Sequence, residues 1–293
     1  MRFPDNFALL PEDRCGYDQS PTVVLPVPFE RTVSYGKGTS AGPEAIIRAS
    51  QFMELWDEEL GQESFGDGIV TLPSFQADAP DIAEALGQVE AEATRHLAAA
   101  KLLVTLGGEH SLTLAPVRAA RKVHGEIGVV QFDAHADLRE QYEGSPFSHA
   151  CVMRRIVEEG IPTLAVGLRS LSTPEAVFAA ENALPIVWAY QFGTALERFA
   201  ALLEGLPPKV YLTFDIDYFD PSLVPATGTP EPGGGEWYPT MKLLSHLFAT
   251  KEVVAMDVVE LAPWPGMPAS DFVAAKLIYK CLGYRLAAAR AGG

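Results

Sequence analysis

Three stretches of the sequence carry acids and imidazoles that no packing argument requires: Gly107-Gly108-Glu109-His110, Asp133-Ala134-His135-Ala136-Asp137 and Asp215-Ile216-Asp217. Each follows a short apolar run. Glu260 sits just past a fourth such run, and Ser148-His149 lies farther along the loop after Asp137. In an extended chain alternate side chains point to one side, so Asp133, His135 and Asp137 converge, as do Asp215 and Asp217. Together His110, Asp133, His135, Asp137, Asp215 and Asp217 offer two neutral nitrogens and four carboxylates. That is too much negative charge for one divalent ion, whereas two ions would balance it. Oxygen-dominated coordination with a minority of imidazole favours manganese, ahead of iron, cobalt or nickel, and the absence of cysteine argues against a structural zinc. A single Asp-x-Asp after a strand is commoner as a turn, and a lone histidine is commoner as a satisfied surface or core residue. His96, His124 and His246 are assigned to that ordinary class, and Asp220-Pro221 reads as a turn opener. Coincidence at three strand ends is what separates the acidic stretches from it.

Such a cluster needs a scaffold that brings distant strand ends together. Apolar runs rich in Val, Ile and Leu predict strands near Thr22–Val27, Lys101–Leu106, Gly128–Phe132, Thr163–Val166, Leu184–Val187, Val210–Phe214 and Val253–Met256. Helical periodicity lies between them, near Pro43–Ser50, Asp81–Ala100, Leu112–His124, His149–Glu159, Pro174–Glu181, Ala195–Leu203, Tyr238–Thr250 and Asp271–Leu282. This alternation predicts an α/β fold, a mostly parallel sheet covered by helices on both faces. The carboxyl ends of parallel strands share one edge, where ligands bind. With no internal repeat and no long linker, residues 1–293 read as one domain. Ala287–Gly293 reads as a fraying tail. Gly36-Lys37-Gly38-Thr39 lacks the spacing of a phosphate loop and is read as a surface loop entering a helix at Pro43.

Bulk properties narrow the remaining classes. A hydrophobic content of 48% supports a substantial core. Three widely spaced cysteines, Cys15, Cys151 and Cys281, fit a reducing compartment rather than a disulfide framework. Met1 to Arg14 mixes Pro, Asp, Glu and Asn and lacks an export pattern, and no apolar run is long enough for a membrane span, so a cytoplasmic location is expected. The formal net charge of −16 argues against nucleic acid or an anionic membrane as partner and favours a cationic small molecule.

Gly107-Gly108-Glu109-His110-Ser111, Phe132-Asp133-Ala134-His135-Ala136-Asp137, Thr213-Phe214-Asp215-Ile216-Asp217-Tyr218-Phe219-Asp220-Pro221 and Pro225-Ala226-Thr227-Gly228-Thr229-Pro230 resemble the signatures of the arginase and agmatinase ureohydrolases. Asp257-Val258-Val259-Glu260 with Pro263 completes the set, so the resemblance spans most of the chain. It implies an arginase-like three-layer fold with an eight-stranded parallel sheet, and a pair of Mn²⁺ ions. One ion would be held by His110, Asp133, Asp137 and Asp215, the other by Asp133, His135, Asp215 and Asp217, with Asp133 and Asp215 bridging. Asp137 would accept a proton from the nucleophile, His149 would relay protons to solvent, Glu260 would pair with the guanidinium, and Thr229 would lie in the loop contacting it. Glu109 departs from the Asp common at that position and is expected to orient His110. Relatives suggest trimers or hexamers.

The implied reaction is hydrolysis of a guanidino group, and the leading expectation is agmatine plus water to putrescine plus urea. A guanidinium carbon is a poor electrophile, and a metal pair supplies an activated water near neutral pH. The loop Leu138-Arg139-Glu140-Gln141-Tyr142-Glu143-Gly144-Ser145-Pro146-Phe147-Ser148 lacks the Asn and Thr pattern by which arginases bind an α-amino acid, and its form resembles bacterial and archaeal agmatinases. Arg139, if turned inward, would instead favour guanidinobutyrate. A silent relative and a single-zinc deacetylase are the competing readings; the intact ligand set opposes the first, and the paired aspartates oppose the second.

Overall fold

The computed structural model describes residues 6–291. In chain order the strands are β1 (Thr22–Val27), β2 (Trp56–Asp57), β3 (Gln62–Glu63), β4 (Ile69–Thr71), β5 (Leu102–Gly107), β6 (Gly128–Phe132), β7 (Thr163–Val166), β8 (Ile186–Val187), β9 (Lys209–Asp215) and β10 (Glu252–Val259). The helices are α1 (Gly42–Ser50), α2 (Ile82–Ala98), α3 (Leu114–His124), α4 (Val152–Glu158), α5 (Thr173–Glu181), α6 (Ala195–Leu203), α7 (Trp237–Thr250) and α8 (Ala269–Ala291). Eight strands form one sheet in the order β4-β1-β5-β10-β9-β6-β7-β8, and all its pairings are parallel. Its strands are apolar on both faces because both faces are covered. Val24, Leu102, Val104, Val130, Phe132, Leu212 and Met256 pack with α1, α6, α7 and α8, while their neighbours Val23, Leu103, Val129, Tyr211 and Ala255 pack with α2, α3, α4 and α5. This is the layering that alternation in the sequence predicts and the family resemblance implies.

Several features differ from the sequence reading. β4 was not anticipated; at three residues on the sheet edge it has too little pattern to be seen and exists through pairing with β1. The antiparallel β2–β3 hairpin is shorter still. It docks on α8 through the buried Lys280, whose ammonium lies 3.0 Å from Asp57 and 2.7 Å from Glu59. The supposed tail is helical as far as Ala291, with residues 292–293 and the first five residues of the Met1–Arg14 segment outside the described part. Ala and Arg carry the helix on by propensity where apolar periodicity stops.

Strand register builds the site edge. Phe132 pairs with Phe214, so the next residue on each strand, Asp133 and Asp215, lies side by side, while Val259 pairs with Asp215 and Val258 with Leu106. The four central strands β5, β10, β9 and β6 therefore end at His110, Glu260, Asp215–Asp217 and Asp133–Asp137. Short helical turns, His110–Thr113 and His149–Cys151, precede α3 and α4 where continuous helices had been expected. Among the described residues no helix is long and apolar enough to cross a membrane.

Candidate metal centre

The chain turns sharply after β5. A Cβ at Gly108 would lie 2.0 Å from the Phe29 carbonyl oxygen, so only glycine admits this approach. Glu109 then turns away from the His110 ring. Its carboxylate accepts from the Arg31 and Thr32 amides, each at 2.6 Å, from the Thr32 hydroxyl at 2.7 Å and from Ser111 at 2.5 Å. The expectation that Glu109 orients His110 is thus corrected: it organises the loop after β1. The residue on the ring is Thr213, whose hydroxyl lies 2.9 Å from His110 Nε2. Thr213 donates in turn to Asp257 at 2.7 Å, and Asp257 also accepts from Tyr211 at 2.6 Å and Thr113 at 2.8 Å. A carboxylate satisfied in this way leaves the Thr213 oxygen to accept from Nε2–H, so in the neutral ring Nδ1 is the nitrogen that carries the lone pair. That nitrogen faces Asp133, Asp137 and Asp215 at 3.1, 3.0 and 3.4 Å.

The second half of the cluster lies alongside. His135 Nδ1 is 2.8 Å from Asp217 Oδ2 and 3.8 Å from Asp133 Oδ1. Two groups bring ligand-type atoms together, His110–Asp133–Asp137 and Asp133–His135–Asp217, and Asp133 is common to both. Backbone donors aim the acids: the His135 amide bonds Asp133 at 2.6 Å, the Ala134 amide bonds Asp217 at 3.1 Å, and the Asp217 amide bonds Asp215 at 2.9 Å. Asp137 and Glu260 both hold positive φ, 53° and 64°, which is rare for residues with a side chain.

Crowded charge dominates the electrostatics. Burial, then Asp137 and Asp217, pushes the Asp133 carboxyl up to about 7. Burial, followed by Asp217 and Asp133, also holds Asp215 well above the carboxylate range. Burial alone would keep His110 and His135 neutral, but the surrounding aspartates outweigh it, taking His135 up to about 11 and His110 well above its ordinary value. For Asp217 the nearby His135 outweighs burial and lowers the pKa. Four buried carboxylates against two imidazoles favour added positive charge between them. His110 Nδ1 and Asp217 Oδ2, one in each half, are also buried with no well-aligned hydrogen bond, although oppositely charged ligand-type atoms lie close to each. Such atoms of ligand type in mixed nitrogen and oxygen sets fit divalent cations. Thr213→Val, similar in shape but unable to bond Nε2, is expected to weaken metal affinity by about 10- to 100-fold while leaving the fold intact. Calorimetric titration with Mn²⁺ checks this, and unchanged affinity would show that the Thr213–Asp257 pair is only structural.

Above the cluster opens a cavity of about 290 Å³ lined by His110, His135, Asp137, Asp215, Asp217, Thr229, Glu260 and His149. Asp133 lies beneath, fully buried. Glu260 Oε1 accepts from the His110 amide at 2.6 Å, and burial pushes its carboxyl up to about 8. His149 Nδ1 lies 3.3 Å from both the Thr32 and Ser148 hydroxyls, and its ring meets the Tyr142 edge. At the outer wall Arg139 lies over the Tyr142 ring, 4.9 Å from its centre, with Nε 3.8 Å from Glu175. Glu175 is buried and accepts from the Leu138 amide and the Ser172 amide and hydroxyl. Sequence reasoning had given Thr213, Glu175 and Ser172 no role. Nothing in their spacing marks them; only the fold brings them to the site.

An eight-stranded parallel sheet with paired His–Asp clusters at the ends of its middle strands defines a hydrolase of the arginase-like class. The family model described as "Arginase family" matches residues 20–283. An N(1)-aminopropylagmatine ureohydrolase from Synechocystis sp. is 40% identical over 92% of this chain and 90% of its own length. An agmatinase from Pyrococcus horikoshii is 36% identical over 89% of the chain and 90% of its own length. The crystal structure of agmatine ureohydrolase from Thermoplasma volcanium superposes with a TM-score of 0.86 at 27% identity, covering 99% of this chain and 95% of that one. The chain belongs to the arginase family, and it is an agmatinase-like ureohydrolase.

Proposed function

We propose that the protein hydrolyses the guanidino group of a linear cationic guanidine, agmatine or an agmatine carrying a further aminoalkyl group, to urea and an amine. The observation that carries this is the cavity itself, with the His–Asp cluster at its floor, the buried Glu260 carboxylate in its wall, and its outer arginine engaged by Tyr142 and Glu175. His110, Asp133, Asp137 and Asp215 would hold one Mn²⁺ and Asp133, His135, Asp215 and Asp217 the other. When bound, such ions lower the pKa of water enough to furnish a nucleophile near neutral pH. Glu260 pairs with the guanidinium, and Thr229 lines the same wall. Asp137 takes the proton released on attack and passes it to the departing nitrogen, and His149 exchanges protons between cavity and solvent. The Thr32 and Ser148 hydroxyls at its Nδ1 give that exchange a path.

Agmatine lacks a carboxylate, so an outer wall whose one arginine is already engaged suits it. The name of the Synechocystis relative favours, as the second substrate, an agmatine bearing an aminopropyl group. The single domain is read as a cytoplasmic homo-oligomer, trimer or hexamer, as the family resemblance implies. Protein stripped by chelator is expected to be inactive and to regain urea release with Mn²⁺ at two ions per chain. Restoration by one zinc per chain would overturn the binuclear reading. Urea release from agmatine or aminopropylagmatine is expected to exceed that from 4-guanidinobutyrate and arginine by at least about tenfold in kcat/KM, about 1.4 kcal/mol. A preference for guanidinobutyrate that disappears in Arg139→Ala would show that this arginine binds substrate instead.

A further inference from the structure

Beyond β7 the chain turns at Gly167, with φ at 96°, where a Cβ would meet the Tyr218 ring at 2.5 Å and the Asp133 carbonyl oxygen at 3.0 Å. This close turn delivers Arg169 behind the metal centre, where its amide donates to the Ala134 carbonyl at 2.9 Å. The guanidinium then meets only backbone oxygens. Nη2 donates to Asp217 at 2.8 Å, Phe219 at 3.4 Å and Glu231 at 2.8 Å; Nη1 donates to Gly167 at 3.1 Å and Tyr218 at 3.2 Å; Nε donates to Glu231 at 3.2 Å. Among the described residues no carboxylate pairs with it within 4.0 Å.

These carbonyls belong to three segments: the turn after β7, the turn after β9 that carries Asp217, and the loop running from Thr229 to Gly235. Carbonyl groups converging from three segments repel one another unless a donor stands between them. A planar guanidinium has five N–H groups in a fixed fork and can serve several acceptors at once, whereas an ammonium has three and no fixed plane. The same loop is tied from its other side by Asp220, which accepts from the Gly233 and Gly234 amides at 2.8 and 3.3 Å, and by the Gly235 amide on the Tyr218 carbonyl at 2.9 Å. Glu231 on this loop lies with Oε1 4.0 Å from His135 Nε2. Arg169 is therefore a permanent, unneutralised cation fastening the wall of an acidic cluster.

We propose that Arg169 is a positioning residue for the His135–Asp217 half of the metal centre, clamping the Asp217 turn to the Thr229–Glu231 loop. The metal-affinity consequence rests on the binuclear reading above; the clamp itself does not. In Arg169→Met the apolar stem is kept and the donors are lost, and in Arg169→Lys charge and part of the donor set are kept. In metal-free protein, hydrogen exchange at the Asp220 and Gly235 amides is expected to quicken by at least about tenfold in Arg169→Met and less in Arg169→Lys. In Mn²⁺ calorimetry, one of two binding events is expected to weaken by about 10- to 100-fold in Arg169→Met, with the other retained and Arg169→Lys intermediate. The paramagnetic resonance signal of a coupled manganese pair should fade in the same order. Unchanged exchange and unchanged affinity in Arg169→Met would overturn the proposal, as would equal loss of both ions in both variants. If wild-type protein took up fewer than two ions the binuclear reading would fall, and the exchange measurement would still decide the clamp.

Discussion

Asp133→Ala is expected to deprive both halves of the centre of a ligand they share and to lower kcat/KM by at least about 10³-fold, about 4 kcal/mol of transition-state stabilisation. Asp133 faces His110 through one oxygen, 3.1 Å away, and holds the His135 amide with the other at 2.6 Å. Among the described residues Asp133 is the one common to both groups of converging ligand atoms, and Asp215 is the other residue assigned to both ions. The metal-free fold should survive, because removing one member of a buried like-charge cluster relieves repulsion more than it costs in hydrogen bonds. Metal analysis of the purified variant together with its thermal midpoint distinguishes these effects. Full metal content with wild-type turnover would refute the shared-ligand role; a lowered midpoint with lost activity would mean that Asp133 is a structural acid.

Glu260→Gln tests the wall of the cavity rather than its floor. The wild-type carboxylate keeps Oε1 on the His110 amide at 2.6 Å, and a glutamine must place its single oxygen there to avoid stranding that buried donor. Its NH2 group would then face the cavity, donor against the guanidinium's own donors. Both ions should bind as before, while kcat/KM for agmatine falls by about 2–5 kcal/mol, the range seen when one partner of a buried charge pair is removed. Equilibrium binding of agmatine to the variant reports this apart from turnover. Undiminished agmatine affinity would remove Glu260 from substrate recognition.

The chemistry-bearing residues were legible because they break a rule. Strands β5, β6, β9 and β10 are apolar, and acids at their ends serve no packing purpose, so Asp133, Asp215 and Glu260 stand out once the strands are found. Parallel alternation then places them on one edge without further information. What supports them follows no such rule. Thr213 lies inside a buried strand and reads as an ordinary β-branched residue, and its partner Asp257 is three positions before the noticed Glu260, on another strand. Arg169 resembles any surface arginine after a strand, because its acceptors are carbonyls and carbonyls are invisible in sequence. The role given to Glu109 failed for a related reason: adjacency along the chain suggested contact with His110, but the turn at Gly108 sends its carboxylate to the β1 loop instead. Strand β4 was missed because pairing, not composition, defines a three-residue edge strand.

The strand order has a consequence for biosynthesis. β5 and β6 are made early, yet in the finished sheet they are separated by β9 and β10, which come from the last third of the chain. A nascent chain that has delivered His110 and the Asp133–Asp137 stretch still lacks the two strands that must lie between them. No emerging fragment can therefore assemble the whole cluster. Contacts so distant along the sequence form slowly, since the loops they close are long. On the metal reading proposed above, capture of ions waits until β9 and β10 have emerged, and chains truncated before Lys209 are expected to bind no metal pair however long they persist.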